Sequence, residues 1–291
     1  MTTKAHSVPV INGLGSVLDD TDLVICDIWG VLHDGLTLHP AAVDALMGVK
    51  QRGISLVLLT NAPRPRHFTT AQLKDMGAPD PLLENVQTSG GLTRDDLRKN
   101  HVGQKLFHLG REEDENLLED LDIIQVKKAE EADVIVATDW GFADTEEYRS
   151  ALCPAAEKGV PFICANPDRV VHVGDKLYPC AGAAADRYSE MGGPVVFYGK
   201  PEPASYLACL DVAALPHDHD PSRILMIGDS ARTDIIGANR LGFRSLLITG
   251  GIHRDVFADL MPAEAIASDR IAAALAPHKA MPTYLIDALK P

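Results

Sequence analysis

The sequence is poor in cysteine and in aromatic residues, and it contains no cluster of basic residues. Five cysteines in 291 residues are scattered and form no Cys-x-x-Cys pair, which argues against both a disulfide framework and a zinc site. Lys and Arg together number 27 against 41 Asp and Glu. The resulting formal net charge of -14 argues against a nucleic acid polymer as a partner.

The chain also lacks the segments that direct a protein into or across a membrane. No apolar stretch approaches membrane-spanning length, and the chain does not open with a basic start followed by an apolar core. We therefore expect a cytoplasmic protein without membrane contacts. The length suits one large or two ordinary domains, and contents of 46% hydrophobic and 23% charged residues are typical of globular proteins.

One stretch, residues 23–35, organises the rest of the chain. It begins with four apolar or weakly polar residues, Leu23 to Cys26, two positions of which are β-branched. This pattern predicts a strand buried on both faces, as in a parallel sheet. Asp27 follows at the carboxyl end of the strand, where α/β proteins bind their ligands. Taken alone, Asp27 is equally well explained as the cap of a turn.

Three further predicted strands end on a polar residue: Thr60, Lys200 and Asp229. Asp234 follows five residues after Asp229, in the first turn of a helix predicted over residues 231–241. The alternation of helices and strands predicts βαβ units with parallel strands. Because the carboxyl ends of parallel strands lie at one edge of a sheet, we expect these side chains to converge there.

Three carboxylates at one edge repel each other unless a cation lies among them, and ligation by oxygen atoms alone suits magnesium. Lys200 and Thr60 would then hold phosphoryl oxygens by charge and by hydrogen bond. Taken singly, Lys200 is more simply a solvated charge and Thr60 a turn residue. Their order along the chain, with glycine or small residues beside each, favours a site.

Residues 90–194 interrupt this alternation with a self-contained α/β pattern of their own. Asp144 with Glu147 three residues later predicts a capping box for one helix of this segment. We therefore predict two domains, one formed by residues 1–89 and 195–291 and the other inserted as residues 90–194.

Four short motifs resemble those of the haloacid dehalogenase superfamily. They are Asp-x-x-Gly-Val-Leu from Asp27, Leu-Leu-Thr-Asn ending at Asn61, Gly-Lys-Pro around Lys200, and Gly-Asp-Ser-x-x-Thr-Asp over residues 228–234. The long segment between the second and third motifs is similar to the α/β cap of the class IIA members, the NagD-like and p-nitrophenyl phosphatase-like enzymes. The resemblance implies a Rossmann-like core, a doubly wound parallel sheet, with an inserted α/β cap domain.

The resemblance also implies a function, the magnesium-dependent hydrolysis of a small phosphate monoester such as a sugar phosphate, a nucleotide or a vitamin phosphate. Asp27 would attack phosphorus and form an aspartyl phosphate, while Thr60 and Lys200 would bind the transferring group. The other implied roles are magnesium ligation by Asp27, the backbone carbonyl of Trp29, Asp229 and Asp234, and substrate binding by Asn61, Asn166 and Asp168. The oligomeric state is left open, with a homodimer as one option.

The sequence departs from the family at Trp29, where the phosphatases usually carry an aspartate that protonates the leaving oxygen. An indole cannot shuttle a proton at neutral pH. His33 and Asp34 are the nearest candidates to replace the acid. Two alternatives stay open: a dehalogenase-like carbon-halogen hydrolase, whose leaving group needs no acid, and a phosphometabolite-binding protein of low turnover.

Overall fold

The computed structural model describes residues 7–141, 145–173, 176–261 and 263–291. Its strands are β1 (Ser7–Pro9), β2 (Leu23–Cys26), β3 (Ser55–Thr60), β4 (Val86–Thr88), β5 (Lys105–Leu109), β6 (Ile124–Gln125), β7 (Val134–Ala137), β8 (Phe162–Cys164), β9 (Val170–Val173), β10 (Lys176–Pro179), β11 (Val195–Phe197), β12 (Ile224–Gly228), β13 (Arg244–Ile248), β14 (Ala265–Ala267) and β15 (Tyr284–Ile286).

The α-helices are α1 (Pro40–Gln51), α2 (Arg66–Asp75), α3 (Ser89–Asn100), α4 (Thr145–Glu157), α5 (Ala181–Glu190), α6 (Pro203–Val212), α7 (Ile236–Leu241), α8 (Arg254–Phe257) and α9 (Ser268–Ala274). Short 3₁₀ helices lie at Leu14–Val17, Asp80–Leu82, Glu112–Leu117, Ala129–Glu131 and Pro221–Arg223, and a π turn at Ala231–Ile235. No helix among the described residues is long and apolar enough to cross a membrane.

The chain divides into two compact units. The first unit comprises residues 1–60, 70–86 and 206–291, and the second comprises residues 61–69 and 87–205. A six-stranded sheet has the order β15-β13-β12-β2-β3-β4, and the pairings of β2 with β3 and of β12 with β2 and β13 are parallel. A five-stranded sheet, β11-β8-β7-β5-β6, is parallel throughout. The pairs β1-β14 and β9-β10 are antiparallel.

Strand β2 lies in the middle of the first unit and is buried on both faces, as the sequence predicts. Val24 and Cys26 pack into a cluster with residues of α1, whereas Leu23 and Ile25 pack on the other face into a cluster with residues of α6. All four side chains are fully buried. The alternating side chains of one strand thus cover both faces, because helices lie on either side of the sheet.

The second unit repeats this arrangement around its own sheet. One apolar cluster joins α4 and α5 to strands β7 and β8, and a second joins Leu97 of α3 to β5 and β7. The order of strands places β6 on one side of β5 and β7, β8 and β11 on the other, which is a doubly wound arrangement. The predicted fold class, an α/β fold with parallel sheets, is therefore confirmed.

Two predictions about single elements need correction. The strand before Lys200 was expected in the same sheet as β2, but β11 pairs with β8 at the edge of the five-stranded sheet. The helix predicted over residues 231–241 begins instead as a π turn and becomes α-helical only at Ile236.

Asp144 of the predicted capping box lies outside the described residues. The sequence Pro282-Thr-Tyr-Leu-Ile predicts a short edge strand near the end of the chain, and β15 at the edge of the six-stranded sheet confirms it.

Candidate active site

Three buried carboxylates meet at the carboxyl edge of the six-stranded sheet. Asp27 follows β2 and Asp229 follows β12, and the two strands are in register with Cys26 beside Ile227. The backbone N–H of Asp27 donates to the carbonyl of Ile227 at 2.8 Å, which continues the ladder by one residue. Carboxylate oxygens of Asp27, Asp229 and Asp234 lie within 4.8 Å of one another, and the three side chains are buried.

Each carboxylate is oriented by a backbone N–H group. Ile28 donates to Asp27 Oδ1 at 2.8 Å, Ile252 donates to Asp229 Oδ2 at 2.9 Å, and Ser230 donates to Asp234 Oδ2 at 3.0 Å. Hydrogen bonds of this kind favour the charged form of a carboxylate. The donors fix where the oxygens lie but bring no positive charge to balance three negative ones.

Two glycines make room for these side chains. A Cβ atom at Gly30, whose φ is +79°, would lie 2.3 Å from Asp229 Oδ2. A Cβ atom at Gly228, the last residue of β12, would lie 2.1 Å from Cγ of Asp234. No residue with a side chain fits at either position without displacing a carboxylate. The sequence pattern suggests a turn at Gly30 but does not reveal this second role.

This donor set fits a divalent cation that prefers oxygen ligands. Three oxygen ligands within 4.8 Å of one another match the small, carboxylate-based sets that hold magnesium, which completes its shell with water and substrate oxygens. No sulfur or imidazole ligand belongs to the group among the described residues, which does not favour zinc. The cluster can therefore hold a hard cation, and that cation would relieve the repulsion.

Trp29 lies two residues after Asp27, in a tight turn shared with His33 and Gly35. Its ring meets that of His33 edge to face, with centroids 5.1 Å apart. A Cβ atom at Gly35 would lie 2.7 Å from Cη2 of Trp29, so the indole packs closely against the backbone of this glycine. Trp29 is therefore packed in place, although its side chain is partly exposed.

Neither polar neighbour of Trp29 is arranged as a proton donor. The carboxylate of Asp34 accepts the backbone N–H groups of Leu36 and Thr37, both at 2.8 Å, and these bonds hold the pKa of Asp34 below its usual value. His33 accepts the N–H of Gly35 at its Nδ1 atom, 2.9 Å away, and burial lowers the pKa of His33. At neutral pH we therefore expect an ionised Asp34 and a neutral His33.

Thr60 closes β3 and is buried in the first unit. Strand β3 runs parallel to β2 with Leu58 beside Cys26, so Thr60 and Asp27 both lie at the carboxyl ends of neighbouring strands. The structure therefore has Thr60 at the end of a strand beside β2, as the sequence predicts.

The other predicted site residues belong to the second unit. Asn61 lies between two of them: its Nδ2 atom donates to Asp168 Oδ1 at 3.0 Å and to the carbonyl of Lys200 at 3.1 Å. Its Oδ1 atom accepts the backbone N–H of Lys200 at 2.7 Å. Asn166 orients the same loop, because its Oδ1 atom accepts the N–H of Asp168 at 3.2 Å. The structure thus brings together Asn61, Asn166, Asp168 and the backbone of Lys200, and Lys200 is buried.

Sequence reasoning missed two residues near the carboxylates. His253 accepts the backbone N–H of Ala231 at its Nε2 atom, 3.0 Å away. Tyr206 of α6 donates its hydroxyl to the carbonyl of Thr233 at 2.9 Å. Both contact main-chain atoms far away in sequence, so no local pattern marks them. A Cβ atom at Gly251, after β13, would lie 2.4 Å from Cβ of Asp229, so this glycine makes room for a carboxylate of the cluster.

Comparison with known proteins gives a consistent result. The profile described as haloacid dehalogenase-like hydrolase matches residues 24–124, and a second profile, described as HAD-hydrolase-like, matches residues 197–278. The ribonucleotide monophosphatase NagD of Escherichia coli (strain K12) is 32% identical over 252 residues, which cover 82% of this chain and 92% of NagD.

Two further matches extend over most of the chain. An acid sugar phosphatase of Staphylococcus aureus is 25% identical over 232 residues, covering 78% of this chain and 86% of that protein. The crystal structure of a haloacid dehalogenase-like hydrolase from Brucella suis 1330 superposes with a TM-score of 0.81 at 33% identity. That match covers 96% of this chain and 100% of the Brucella chain.

Proposed function

Because this chain belongs to the haloacid dehalogenase-like hydrolases, in their class IIA, NagD-like branch of phosphatases, we propose that it hydrolyses small phosphate monoesters with Mg²⁺ and through an aspartyl phosphate on Asp27. The observation that carries the proposal is the cluster of three buried carboxylates. One of its members, Asp27, directly follows a central strand and is fixed by the N–H of Ile28. The relatives named above act on nucleotide and sugar phosphates, which supports a small phosphorylated metabolite as the substrate.

In the proposed reaction a carboxylate oxygen of Asp27 attacks phosphorus. The new O–P bond forms as the ester O–P bond breaks, and the departing oxygen leaves with the bonding electrons. Water then attacks the aspartyl phosphate, which releases inorganic phosphate and restores the carboxylate. The proton that the attacking water loses passes to solvent or to the leaving group. Burial of Asp27 limits the hydration of the carboxylate that attacks phosphorus.

The remaining residues have supporting roles in the proposal. Asp229 and Asp234, with Asp27 and the carbonyl of Trp29, would hold Mg²⁺. When bound, the metal stabilises negative charge on the phosphoryl oxygens as a Lewis acid. Thr60 would donate its hydroxyl and Lys200 its ammonium to those oxygens, whereas Asn61, Asn166 and Asp168 would form part of the substrate-binding cap.

The carbon-halogen alternative receives no support from the site. Displacement of a halide by a carboxylate needs no divalent cation, whereas the three carboxylates that converge here form a set of oxygen ligands that suits one. A turnover assay separates the two chemistries. Phosphatase turnover should require added Mg²⁺ and should be abolished by EDTA. Turnover that is unaffected by EDTA would argue for the alternative.

Trapping the phosphoenzyme tests the proposal directly. The protein is mixed with acetyl phosphate and Mg²⁺, quenched in acid, digested and examined by mass spectrometry. We expect phosphate on the peptide that contains Asp27, and we expect Asp27→Asn to carry none and to lose turnover by on the order of 10⁴-fold or more. Asp34→Asn changes an exposed aspartate of the same loop and serves as the matched control. Phosphorylation of Asp27→Asn at wild-type yield would show that another residue is the nucleophile.

A further inference from the structure

The turn that carries Asp234 has an irregular geometry. Residues Ala231–Ile235 form a π turn, and the regular helix α7 begins only after it. A π turn closes its hydrogen bonds one residue later than an α-helix, and such turns occur mostly as single insertions, often at functional sites. The direction of the Asp234 side chain therefore depends on whether this turn keeps its π form.

Reversion to a regular helix would move Asp234 substantially. Each residue of an α-helix turns by about 100° about the axis, so a change of register by one residue rotates a side chain by roughly that amount. Such a rotation would remove Asp234 from its position beside Asp27 and Asp229. Bonds that hold the π form are therefore bonds that keep three ligand atoms within 4.8 Å of one another.

Tyr206 makes such a bond from the neighbouring helix α6. Its hydroxyl donates to the carbonyl of Thr233 at 2.9 Å and lies 3.4 Å from the carbonyl of Asp234. Both carbonyls belong to the π turn, and the Tyr206 side chain is fully buried. The hydroxyl therefore binds the main chain of the residue before the ligand and approaches that of the ligand itself.

The sequence of α7 accommodates this contact. A Cβ atom at Gly237 would lie 2.0 Å from the Tyr206 hydroxyl oxygen, so only glycine leaves the space that the hydroxyl occupies. At the start of the same turn, the N–H of Ala231 donates to Nε2 of His253 at 3.0 Å. The π turn is thus held at its first N–H by one side chain and at its carbonyl groups by another.

We propose that Tyr206 is a positioning residue for the metal site, whose hydroxyl keeps the π turn in the form that directs Asp234 toward Asp27 and Asp229. This inference rests on the proposed function, because the metal belongs to that proposal. A hydroxyl that only stabilised the fold would change the melting temperature without changing the affinity of the folded protein for Mg²⁺. Metal affinity is therefore the quantity that separates a positioning role from a structural one.

The test measures Mg²⁺ binding by calorimetry on the full chain, with magnesium chloride as the only ligand. Tyr206→Phe removes the hydroxyl and keeps the ring. Removing a group that orients a metal ligand typically weakens binding by about 10- to 100-fold, and we expect a loss in this range. The matched control is Tyr188→Phe in the second unit, because Tyr188 is also fully buried and donates to a backbone carbonyl, that of Val160, at 2.7 Å.

A second variant keeps the test decisive if Tyr206→Phe does not fold. Gly237→Ala leaves the hydroxyl in the protein but displaces it from the turn, so we expect the same weakening of Mg²⁺ binding. The inference is overturned if Tyr206→Phe folds and its Kd for Mg²⁺ is within twofold of the wild-type value. If Tyr206→Phe does not fold, the same criterion applies to Gly237→Ala. It is also overturned if Tyr188→Phe weakens binding equally. Absence of Mg²⁺ binding by the wild-type protein would instead refute the metal in the proposed function.

Discussion

The two units of the chain have similar parallel sheets, but different sets of charged side chains lie at the carboxyl edges of those sheets. In the first unit, Asp27, Asp229 and Asp234 bring three like charges together. In the second unit, Arg111 follows β5 and its Nε atom lies 3.0 Å from Asp139 Oδ2, after β7, and 3.4 Å from Asp114 Oδ2. The edge of the second unit thus balances acids with a base from the same edge.

The buried acid of the second unit illustrates the difference. Asp114 is fully buried, yet Arg64 Nε lies 3.5 Å from its Oδ1 atom and Arg111 lies on its other oxygen. A buried carboxylate between two guanidinium groups is compensated within the chain. Each carboxylate of the first unit accepts a backbone N–H group, which orients it. A cation bound among these three oxygens would lower the repulsion between them.

Adding a fourth carboxylate to the first edge is the strongest test of this contrast. The resemblance to the family implies a general acid at the position of Trp29, and general acid assistance is typically worth about 10²- to 10⁴-fold. Without it, we expect the wild-type enzyme to cleave p-nitrophenyl or acyl phosphates faster than alkyl phosphates by a factor of this order. In Trp29→Asp, the rate of cleavage should depend less steeply on the leaving group. Because the variant carries one more negative charge at this edge, it should also need more Mg²⁺ to reach a given stability.

The measurement is the rate of the chemical step for a series of aryl and alkyl phosphates with leaving groups of increasing pKa. Trp29→Phe is the matched control, since it keeps an aromatic ring and supplies no acid, and it should retain the steep dependence of the wild type. Similar wild-type rates for alkyl and aryl esters would show that another residue donates the proton. His33 and Asp34 would then be the first residues to change.

Removing the base from the second edge should leave a buried carboxylate there with less compensation of its charge. In Arg111→Met, Asp114 stays buried with Arg64 as its remaining cationic neighbour. Loss of one partner of a buried ion pair is strongly destabilising, and the partial exposure of Arg111 reduces the effect, so we expect a loss of roughly 1–3 kcal/mol in the free energy of unfolding. Urea titration followed by circular dichroism measures it.

A double variant provides the control for Arg111→Met. In Arg111→Met with Asp114→Asn, the buried charge is removed together with its partner, and much of the lost stability should return. If the single variant were as stable as the wild type, the pairing of opposite charges would not be what stabilises this edge.

Neutralising one acid of the first edge should raise the free energy of unfolding in the absence of metal, whereas Arg111→Met should lower it. Asp234→Asn relieves part of the repulsion, so in EDTA it should melt at a higher temperature than the wild type. Mg²⁺ at ten times its Kd should stabilise the wild type by about 1.4 kcal/mol, a shift of roughly 2–3 °C for a chain of this length, and should hardly affect the variant. Differential scanning calorimetry with and without Mg²⁺ checks both statements. An unchanged wild-type curve, together with no heat of binding, would refute the metal site.

The sequence was sufficient to predict the α/β class and the clustering of three acids. Each acid lies just beyond a strand or in the next turn, and parallel strands bring their ends together whatever the rest of the fold does. Strand β11 was assigned to the wrong sheet because a short apolar strand carries no mark of the sheet that it joins, and both sheets are parallel. The division into residues 1–89 with 195–291 and 90–194, the individual site roles and a homodimer stay predictions.

The contacts of Tyr206 and His253 could not be predicted in the same way. Both side chains bind main-chain atoms of a π turn, and neither hydrophobic periodicity nor a motif distinguishes a π turn from the start of an α-helix. Contacts to the main chain leave no requirement on the type of the partner residue. They become visible only when the backbone is placed in three dimensions.

The smallest effect that we expect concerns His253, a partly exposed histidine of the first unit, and its response to acid. Burial, with a smaller contribution from nearby His278, lowers the pKa of His253 to about 4 from an ordinary value of 6.5. The neutral ring is the form that accepts the N–H of Ala231. A depressed pKa means that the unfolded chain binds the proton more readily, so stability from this group is present above pH 6.5 and is lost as the pH falls toward 4.

His253→Gln keeps an oxygen acceptor for Ala231 but does not titrate. Between about pH 7 and pH 5, the wild type should therefore lose more stability than the variant, by less than about 1 kcal/mol because solvent screens a partly exposed ring. Urea titrations of both proteins at several pH values measure the difference in slope. Above about pH 7 the two proteins should respond alike, which provides an internal control. Parallel curves down to about pH 5 would show that protonation of His253 does not compete with its hydrogen bond to the π turn.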